Sequence, residues 1–338
     1  MESLLLDNPM DLKIIDREIP EASADEVIIK TSYCGICGSD KHAYHGEHPR
    51  IKYPIILGHE FSGVIEKLGD KVTGFDIGDR ATVDPNIVCN KCYYCLSGKR
   101  HFCENLKSIG INFDGAYSQY VTVPASNLYK IPDNVTLKEA ALTEPIASIL
   151  HAIDQIGLFP GSSALVLGAG PIGIIFSQIL RNAGYNPVMV SEIDKYRQRI
   201  AMELSKCINV NPLMEDIKMK AMEITNRRGF DLVVDTAGNI EALEESMNLL
   251  SKTGKVMIFS LYSPSETLAI NPSHVYRNEI SIYSDFTNPY TMQRAINLIS
   301  SKTLKLNELI DVISLENTID YFNNDDKHKV KTLIDPWL

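Results

Sequence analysis

The chain has 338 residues, of which 44% are apolar and 22% are charged, the composition of a globular protein with a substantial core. It excludes a disordered chain, a collagen and a small disulfide scaffold, and at roughly 150 residues per domain it predicts about two domains. Lys and Arg number 33 against 43 Asp and Glu, a net charge of −10, so we expect no nucleic-acid and no membrane partner. The start of the chain carries acidic residues where a signal peptide has a basic stretch, which predicts a cytoplasmic protein: Glu2, Asp7, Asp11, Asp16.

The first half of the chain has the pattern of short strands and turns. Between residues 25 and 83, β-branched runs occur at 27–29 and 63–65, and Gly69-Asp70 is a turn dipeptide. A further strand is predicted at 117–123. This half is therefore expected to be rich in β-structure.

The second half alternates strands and helices. Thr136 and Glu139 have the spacing of a capping box at the start of a helix, and Glu144-Pro145 introduces a second helix over 146–156. Buried-type strands are predicted at 164–167, 187–191, 230–235 and 255–259, and helices at 172–183, 195–204 and 240–250. This alternation predicts a parallel, doubly wound sheet. A helix over 292–299 and a strand over 330–334 are predicted to follow.

The hexapeptide from Gly168 to Gly173 fits G-x-G-x-x-G, the glycine-rich turn that binds a dinucleotide. It follows a predicted strand and opens a helix, so Gly168 permits the tight turn, Gly170 lets the backbone approach a pyrophosphate and Gly173 lets the helix pack closely. The helix N-terminus, with Ile172 in its first turn, offers free N–H groups to the phosphates.

An acidic residue is expected about 20 residues further on, at the end of the second strand. Glu192 lies 24 residues after Gly168 and can accept hydrogen bonds from both ribose hydroxyls. Its charge repels a 2′-phosphate and favours NAD over NADP, whereas the nearby Arg197 keeps NADP open.

Four of the seven cysteines fall within fifteen positions, in the spacing C-x2-C-x2-C-x7-C: Cys89, Cys92, Cys95, Cys103. Four thiolates on short loops can close a tetrahedral shell around Zn²⁺, which gives a structural site with no place for water. An iron–sulfur cluster is the alternative, since closely spaced cysteines also hold such clusters.

A second group of metal-type residues precedes this cluster. Cys37, His59 and one glutamate supply the three donors of an open, catalytic zinc site. Cys34 and Cys37 also have the spacing of a redox C-x-x-C, but such a motif starts the helix of a βαβ unit, and this region does not have that pattern. Cys34 is therefore predicted to be a small buried side chain at the end of a strand.

Five motifs follow one another along the chain: Cys37-Gly-Ser-Asp40 with His42, Gly58-His59-Glu60, the four-cysteine cluster, Thr143-Glu144-Pro145, and Gly168 to Gly173. In this order they resemble the zinc-containing medium-chain dehydrogenases of the alcohol dehydrogenase superfamily, and within them the polyol branch typified by sorbitol dehydrogenase. The resemblance runs from about Asp25 to the end of the chain. It implies an α/β protein with a GroES-like, β-rich catalytic domain over 1–147, completed by 287–338, and a Rossmann NAD-binding domain over 148–286.

The resemblance also implies the metal ligands. Cys37 and His59 would bind a catalytic zinc, and the third ligand is Glu60 or Glu144, both of which we name. Liver-type relatives use a second cysteine instead, but this chain has none between Cys103 and Cys207. The four-cysteine cluster would bind the structural zinc.

Three residues near Cys37 have implied roles around this metal. Asp40 would orient a ligand, and Ser39 with His42 would carry the proton of the substrate hydroxyl to solvent. The other histidines have no such role: His45, His48, His101, His151, His274, His328.

The implied function is an NAD-dependent zinc dehydrogenase that takes hydride from a secondary alcohol of a polyol, free or phosphorylated, and gives a ketose. The alternatives are an L-threonine 3-dehydrogenase, another zinc alcohol dehydrogenase, a zinc-free quinone reductase, or a non-enzymatic zinc-lobe protein. The family further implies a homo-oligomer, tetramer or dimer, paired through a sheet edge formed by residues 255–259 and 279–283.

Overall fold

The computed structural model describes residues 1–324 and 330–338, so His328 lies outside the described residues. The described chain divides into two compact units. The first comprises Met1–Ala147, Thr287–Lys302 and Leu306–Leu338, and the second comprises Ser148–Phe286 with Thr303–Lys305. Each unit has its own sheets and its own core.

The strands, in chain order, are β1 (Glu2–Asn8), β2 (Asp11–Asp16), β3 (Glu26–Gly35), β4 (Ile55–Ile56), β5 (Glu60–Leu68), β6 (Arg80–Val83), β7 (Asn86–Ile87), β8 (Lys107–Ser108), β9 (Tyr120–Pro124), β10 (Leu128–Lys130), β11 (Ala164–Leu167), β12 (Val188–Ser191), β13 (Ile208–Val210), β14 (Phe230–Asp235), β15 (Leu250–Ile258), β16 (Ser281–Ser284), β17 (Ile310–Ile313) and β18 (Lys331–Ile334).

The α-helices, in chain order, are α1 (Gly38–Tyr44), α2 (Tyr93–Leu96), α3 (Leu137–Ala140), α4 (Thr143–Ile156), α5 (Pro171–Asn182), α6 (Lys195–Ser205), α7 (Ile217–Ile224), α8 (Ile240–Met247), α9 (Pro272–Asn278), α10 (Met292–Ser300) and α11 (Leu315–Asn324). Short 3₁₀ turns occur at Arg100–Phe102, Ala125–Asn127 and Asn307–Leu309. Within the described residues, no helix is both long enough and apolar enough to cross a membrane.

The first unit is built mainly on a seven-stranded, largely antiparallel sheet with the order β10-β6-β5-β3-β18-β17, in which β9 also pairs with β3. A three-stranded sheet, β2-β1-β4, and the two-stranded β7-β8 accompany it. Side chains from both ends of the chain share one core, as Leu4, Phe61 and Tyr117 do with Ile334. The last strands therefore complete the unit that the first residues begin.

The second unit is a six-stranded sheet in which every pairing is parallel. Its order is β13-β12-β11-β14-β15-β16, the 3-2-1-4-5-6 order of the Rossmann fold. All four residues of the central β11 are buried, as expected for a strand with helices on both faces of the sheet. The prediction of a doubly wound parallel sheet is confirmed.

Several predicted boundaries were wrong in detail. Residues 240–250 were predicted as one helix, but α8 ends at Met247 and β15 already begins at Leu250. The strand predicted at 117–123 lies at Tyr120–Pro124. The expected edge of residues 255–259 with 279–283 is formed by β16 alone among the described strands, because β15 is paired on both sides, by β14 and β16. Whether that edge joins copies of the chain stays a prediction.

Glu139, the acidic residue of the α3 capping box, accepts several hydrogen bonds. Glu139 accepts hydrogen bonds from the backbone N–H and hydroxyl of Thr136 at 2.8 and 2.9 Å, and from Lys302 Nζ at 2.8 Å to both oxygens. The Asn307 amide adds a bond of 3.3 Å. Burial raises the pKa of Glu139, but the bonds from Lys302 and Thr136 outweigh it and hold that pKa below its ordinary value.

We expect Glu139→Gln to lower the free energy of unfolding by about 2 kcal/mol at pH 7, because it removes charge-assisted bonds at a buried position. The folded-state pKa is lowered, so the contribution is complete above the unfolded pKa of about 4.5 and is lost as the pH falls through the lower folded value. Urea unfolding at pH 7 and in acid checks both points. The exposed Glu308→Gln is the matched control, and an equal loss in both variants would contradict the prediction.

Candidate active site

Three metal-type side chains come together where β3 ends and β5 begins. Gly35 of β3 is paired with Glu60 of β5, so the residues just beyond these positions, Cys37 and His59, lie side by side. One potential ligand atom from each of Cys37, His59 and Glu60 lies within 4.8 Å of the others. His59 and Glu60 are buried, and Cys37 is half-buried. A thiol, an imidazole and a carboxylate at this spacing fit the donor set of an open zinc site.

Asp40 ties this group together from behind. It follows Cys37 in the first turn of α1, and its Oδ2 accepts the Cys37 backbone N–H at 2.8 Å and the Tyr117 hydroxyl at 2.7 Å. Its Oδ1 lies 3.6 Å from His59 Nδ1. With Nδ1 turned toward a carboxylate, His59 Nε2 is the nitrogen left for a metal.

Several anionic side chains act on the His59 imidazole. Burial lowers the pKa of His59, but Asp40, Cys37 and Glu144 together raise it well above its ordinary value. Burial likewise raises the pKa of Asp40, although the charge of His59 opposes this. The site is thus a buried cluster of anions that attracts a cation.

The two glutamates named for the third ligand occupy different positions. Glu60 belongs to the group of three, whereas Glu144, the second residue of α4, is not among the donors that come within 4.8 Å of one another in the described chain. Burial raises the pKa of Glu144 to about 7, with His59 opposing and Glu60 and Asp84 adding to the rise. The geometry therefore favours Glu60 as the third donor.

Ser39 and His42 both lie on α1, three residues apart and so on one face of the helix. His42 Nδ1 lies 3.0 Å from Glu47 Oε2, and 40% of the His42 side chain is exposed. Glu47, which no sequence motif marks, gives the predicted proton path an acceptor at the protein surface.

His48 and Arg50 hold the loop after α1 in place. His48 Nδ1 accepts the Arg50 backbone N–H at 3.3 Å, so in the neutral ring the proton is on Nε2. The Arg50 guanidinium itself is turned to the Leu106 carbonyl, Ser108 Oγ and Asn112 Oδ1. These bonds fix the loop against the segment that follows the cysteine cluster.

The four clustered cysteines also converge. The sulfurs of Cys89, Cys92, Cys95 and Cys103 lie within 4.8 Å of one another. The backbone N–H groups of Cys89 and Asn105 point at the Cys103 sulfur, at 3.3 and 3.4 Å. Backbone N–H groups, that of Lys91 above all, lower the pKa of Cys89 to about 6. Four sulfurs surrounded by N–H donors fit a closed metal site.

Cys34 belongs neither to the group of three donors nor to the four-cysteine cluster. It is fully buried in β3, and burial, followed by the charges of Asp40 and Glu60, raises its thiol pKa well above the ordinary value. The helix after Cys37 leads into antiparallel strands. The arrangement is therefore not the βαβ unit of a redox C-x-x-C.

The glycine-rich turn of the second unit has the predicted geometry. Gly168 has φ +91°, a conformation that favours glycine, and Gly170 caps α5 with Pro171 in its first turn. A Cβ at Gly173 would overlap the Gly168 carbonyl, whereas a Cβ at Gly170 would meet nothing within 4 Å. The turn is therefore tight on its inner side and open where a pyrophosphate would approach.

Glu192 follows β12 and lies against this turn. Its Oε2 accepts the Ala169 N–H at 2.7 Å, and its Oε1 accepts the N–H groups of Ile193 and Asp194 at 2.8 and 2.9 Å. A carboxylate has about four lone-pair sites, so one remains for a ribose hydroxyl, whereas the sequence led us to expect bonds from both hydroxyls. Arg197, in the first turn of α6, has a buried Nε without a hydrogen-bond partner among the described residues.

Comparison with known proteins bears on both units. Residues 23–133 match the family model of the alcohol dehydrogenase GroES-like domain, and residues 171–301 match that of the zinc-binding dehydrogenases. The starvation-sensing protein RspB of Escherichia coli K12 is 34% identical over 341 residues, covering 99% of each chain. The chain belongs to the zinc-containing alcohol dehydrogenase superfamily. The resemblance found in the sequence, and the GroES-like and Rossmann fold that it implied, are thereby confirmed.

Other members of the superfamily are equally similar. The sorbitol dehydrogenase of Bacillus subtilis 168 is 32% identical, over 95% of this chain and 92% of its own. Among solved structures, a zinc-binding dehydrogenase of Sinorhizobium meliloti 1021 with bound NADP has a TM-score of 0.94, 32% identity and 99% coverage of both chains. The E. coli CFT073 RspB structure, a complex with NADH, has a TM-score of 0.91 at 32% identity and 99% coverage of both chains. The chain is therefore a zinc-type oxidoreductase with a nicotinamide cofactor.

Proposed function

We propose that this dehydrogenase oxidises a secondary hydroxyl of a sugar alcohol, free or phosphorylated, to a ketose with NAD as hydride acceptor. The observation that carries the proposal is the group of Cys37, His59 and Glu60, which brings a thiol, an imidazole and a carboxylate together as the donors of an open zinc site. The likeness to sorbitol dehydrogenase supports the substrate class. Two metals per chain are proposed, the second in the four-cysteine cluster.

The protein side chains have separate tasks in this reaction. Zinc, when bound by the three donors, supplies a Lewis acid that lowers the pKa of a hydroxyl in the open fourth position. Asp40 holds the His59 ring and the backbone of Cys37 in place. Ser39 and His42 take the hydroxyl proton along α1, and Glu47 stabilises the charged imidazole at the surface. The proton thus reaches solvent without entering the buried cluster.

The second unit would bind the cofactor that accepts the hydride. The open side of the turn at Gly170 and the N-terminus of α5 would bind the pyrophosphate, and Glu192 would bind the adenosine ribose. A carboxylate there disfavours a 2′-phosphate, which supports NAD. The NADP in the S. meliloti relative is the observation against it.

The substrate is tested by initial rates of NADH formation with sugar alcohols, their phosphates and L-threonine, using zinc-replete enzyme. We expect turnover of polyols. The Cys37→Ser protein, purified in parallel, is the blank that reveals contaminating host dehydrogenases. Turnover confined to L-threonine would keep the fold and the metal centres but overturn the substrate class.

Glu192→Ala is expected to lower the preference for NAD over NADP by about 10–100-fold, because a hydrogen bond to a charged group is worth about 1.5–3 kcal/mol. The measurement is kcat/KM for each cofactor. Glu192→Gln keeps an acceptor for the Ala169 N–H, so it separates the effect of the charge from that of the loop contact. Glu203→Ala, which removes an exposed carboxylate of α6, is the matched control. An unchanged cofactor ratio in the Glu192 variants would show that this residue does not select the cofactor.

A further inference from the structure

Lys331 is a buried lysine beside the group of three donors, and neither the metal set nor the proton path uses it. It is the first residue of β18, and 3% of its side chain is exposed. Its Nζ donates to Glu60 Oε2 and, at 2.9 Å, to the Ile36 carbonyl. One ammonium group therefore contacts both Glu60 and the backbone next to Cys37.

The contact between Lys331 and Glu60 crosses strand β3. β3 lies between β5 and β18, and Gly35 is paired with Glu60 on one side and with Leu333 on the other. Lys331 precedes Leu333 by two residues and so lies on the same face of the sheet. A Cβ at Gly35 would overlap Glu60 Oε2 and lie 3.0 Å from Lys331 Cε. The missing side chain at Gly35 is the space through which Lys331 reaches Glu60.

The contact joins opposite charges inside the protein. The side chains of Lys331 and Glu60 are each 3% exposed, and that of the nearby Asp40 is 2% exposed. A buried carboxylate without this partner would be strongly destabilised.

We propose that Lys331 is a positioning residue that holds Glu60 through Oε2 beside Cys37 and His59, so that the other carboxylate oxygen can serve as the third protein ligand. The inference rests on the metal centre of the proposed function, but not on the substrate. It gives the last strand of the fold a part in metal binding.

The test is metal affinity, measured with the full-length protein by chelator competition, without substrate or nucleotide. Partners that orient a ligand typically contribute 10–100-fold in affinity, so we expect Lys331→Met to weaken binding of one of the two metals by that factor. The visible absorption of Co²⁺ placed in that site should change as well. Lys331→Arg, which keeps the charge and the donor, should retain most of the affinity. The four-cysteine metal is the internal reference and should stay bound.

A double-mutant cycle separates positioning from general stability. If Lys331 acts through Glu60, then Lys331→Met should cause no further loss of metal affinity in a Glu60→Gln background. A merely structural lysine would give the same loss in both backgrounds, and that result would overturn the proposal. Unchanged affinity and Co²⁺ absorption in the single variant would overturn it too. If Lys331→Met does not accumulate as folded protein, Lys331→Gln is judged by the same criteria.

Discussion

Replacing Cys37 by serine is expected to abolish turnover while leaving nicotinamide cofactor binding intact. Cys37 is one of three donors in the group with His59 and Glu60, and its backbone N–H is held by Asp40. Removing a partner that only orients a metal ligand typically lowers metal affinity or activity 10–100-fold. Removing a ligand itself should therefore lower kcat more than about a hundredfold. The cofactor turn belongs to a unit with its own sheet and core, so it should be unaffected.

The measurement combines kcat, metal content and NADH titration. The variant should lose one metal per chain and keep the metal of the four-cysteine cluster. Cys34→Ser is the matched control, since it makes the same substitution three residues earlier, at a buried thiol outside the group of donors. Near-normal activity of Cys37→Ser would show that the catalytic metal centre is wrongly placed.

Cys95→Ser is expected to lower stability strongly and to release the second metal. The cluster lies in a segment that has almost no apolar core of its own, since neither α2 nor the 3₁₀ turn at Arg100–Phe102 has a buried residue. Tyr93 and Leu96 are 74% and 76% exposed. Because few apolar contacts hold this segment together, a metal bound by the four cysteines would supply most of its folding energy.

Loss of a structural metal is one of the few changes that lower the free energy of unfolding by more than about 3 kcal/mol. For a unit of this size, that loss corresponds to a fall of roughly 6–12 °C in Tm. Thermal melts and metal analysis check the prediction. Cys207→Ser, at a buried cysteine of the other unit, should change neither the metal content nor the melting temperature to this extent. If Cys95→Ser kept both metals and the wild-type Tm, the cluster would not be a structural metal site.

The sequence predicted best those features that depend on short stretches of chain. Strands β11 and β14 were predicted at their observed bounds, because strands covered on both faces of a sheet consist largely of buried apolar residues. The capping box at Thr136 and Glu139 and the turn at Gly168 likewise depend on a few adjacent residues. Such local features can be predicted from a single sequence.

The features that the sequence did not reveal depend on distant partners. β2 alternates exposed and buried positions weakly and is stabilised by pairing with β1. Helix α11 is polar along most of its length and is held by Leu315, Thr318 and Phe322. Lys331 is separated from Glu60 by 271 positions, so no local pattern connects them. For the same reason, the sequence did not decide whether Glu60 or Glu144 is the third metal ligand.

The place of β18 in the sheet has a consequence for biosynthesis. The far end of β3, at Cys34 and Gly35, is paired on one side by β18, which begins at Lys331 and is therefore synthesised long after β3. Translation at about 5–20 residues per second delays that pairing by roughly 15–60 s after β3 has emerged. During this time the second unit, nearly continuous in the chain, can already fold, whereas the first exposes an open strand end. A nascent chain of this enzyme should therefore acquire its nucleotide-binding fold before its zinc site, and a chain truncated before β18 should be aggregation-prone.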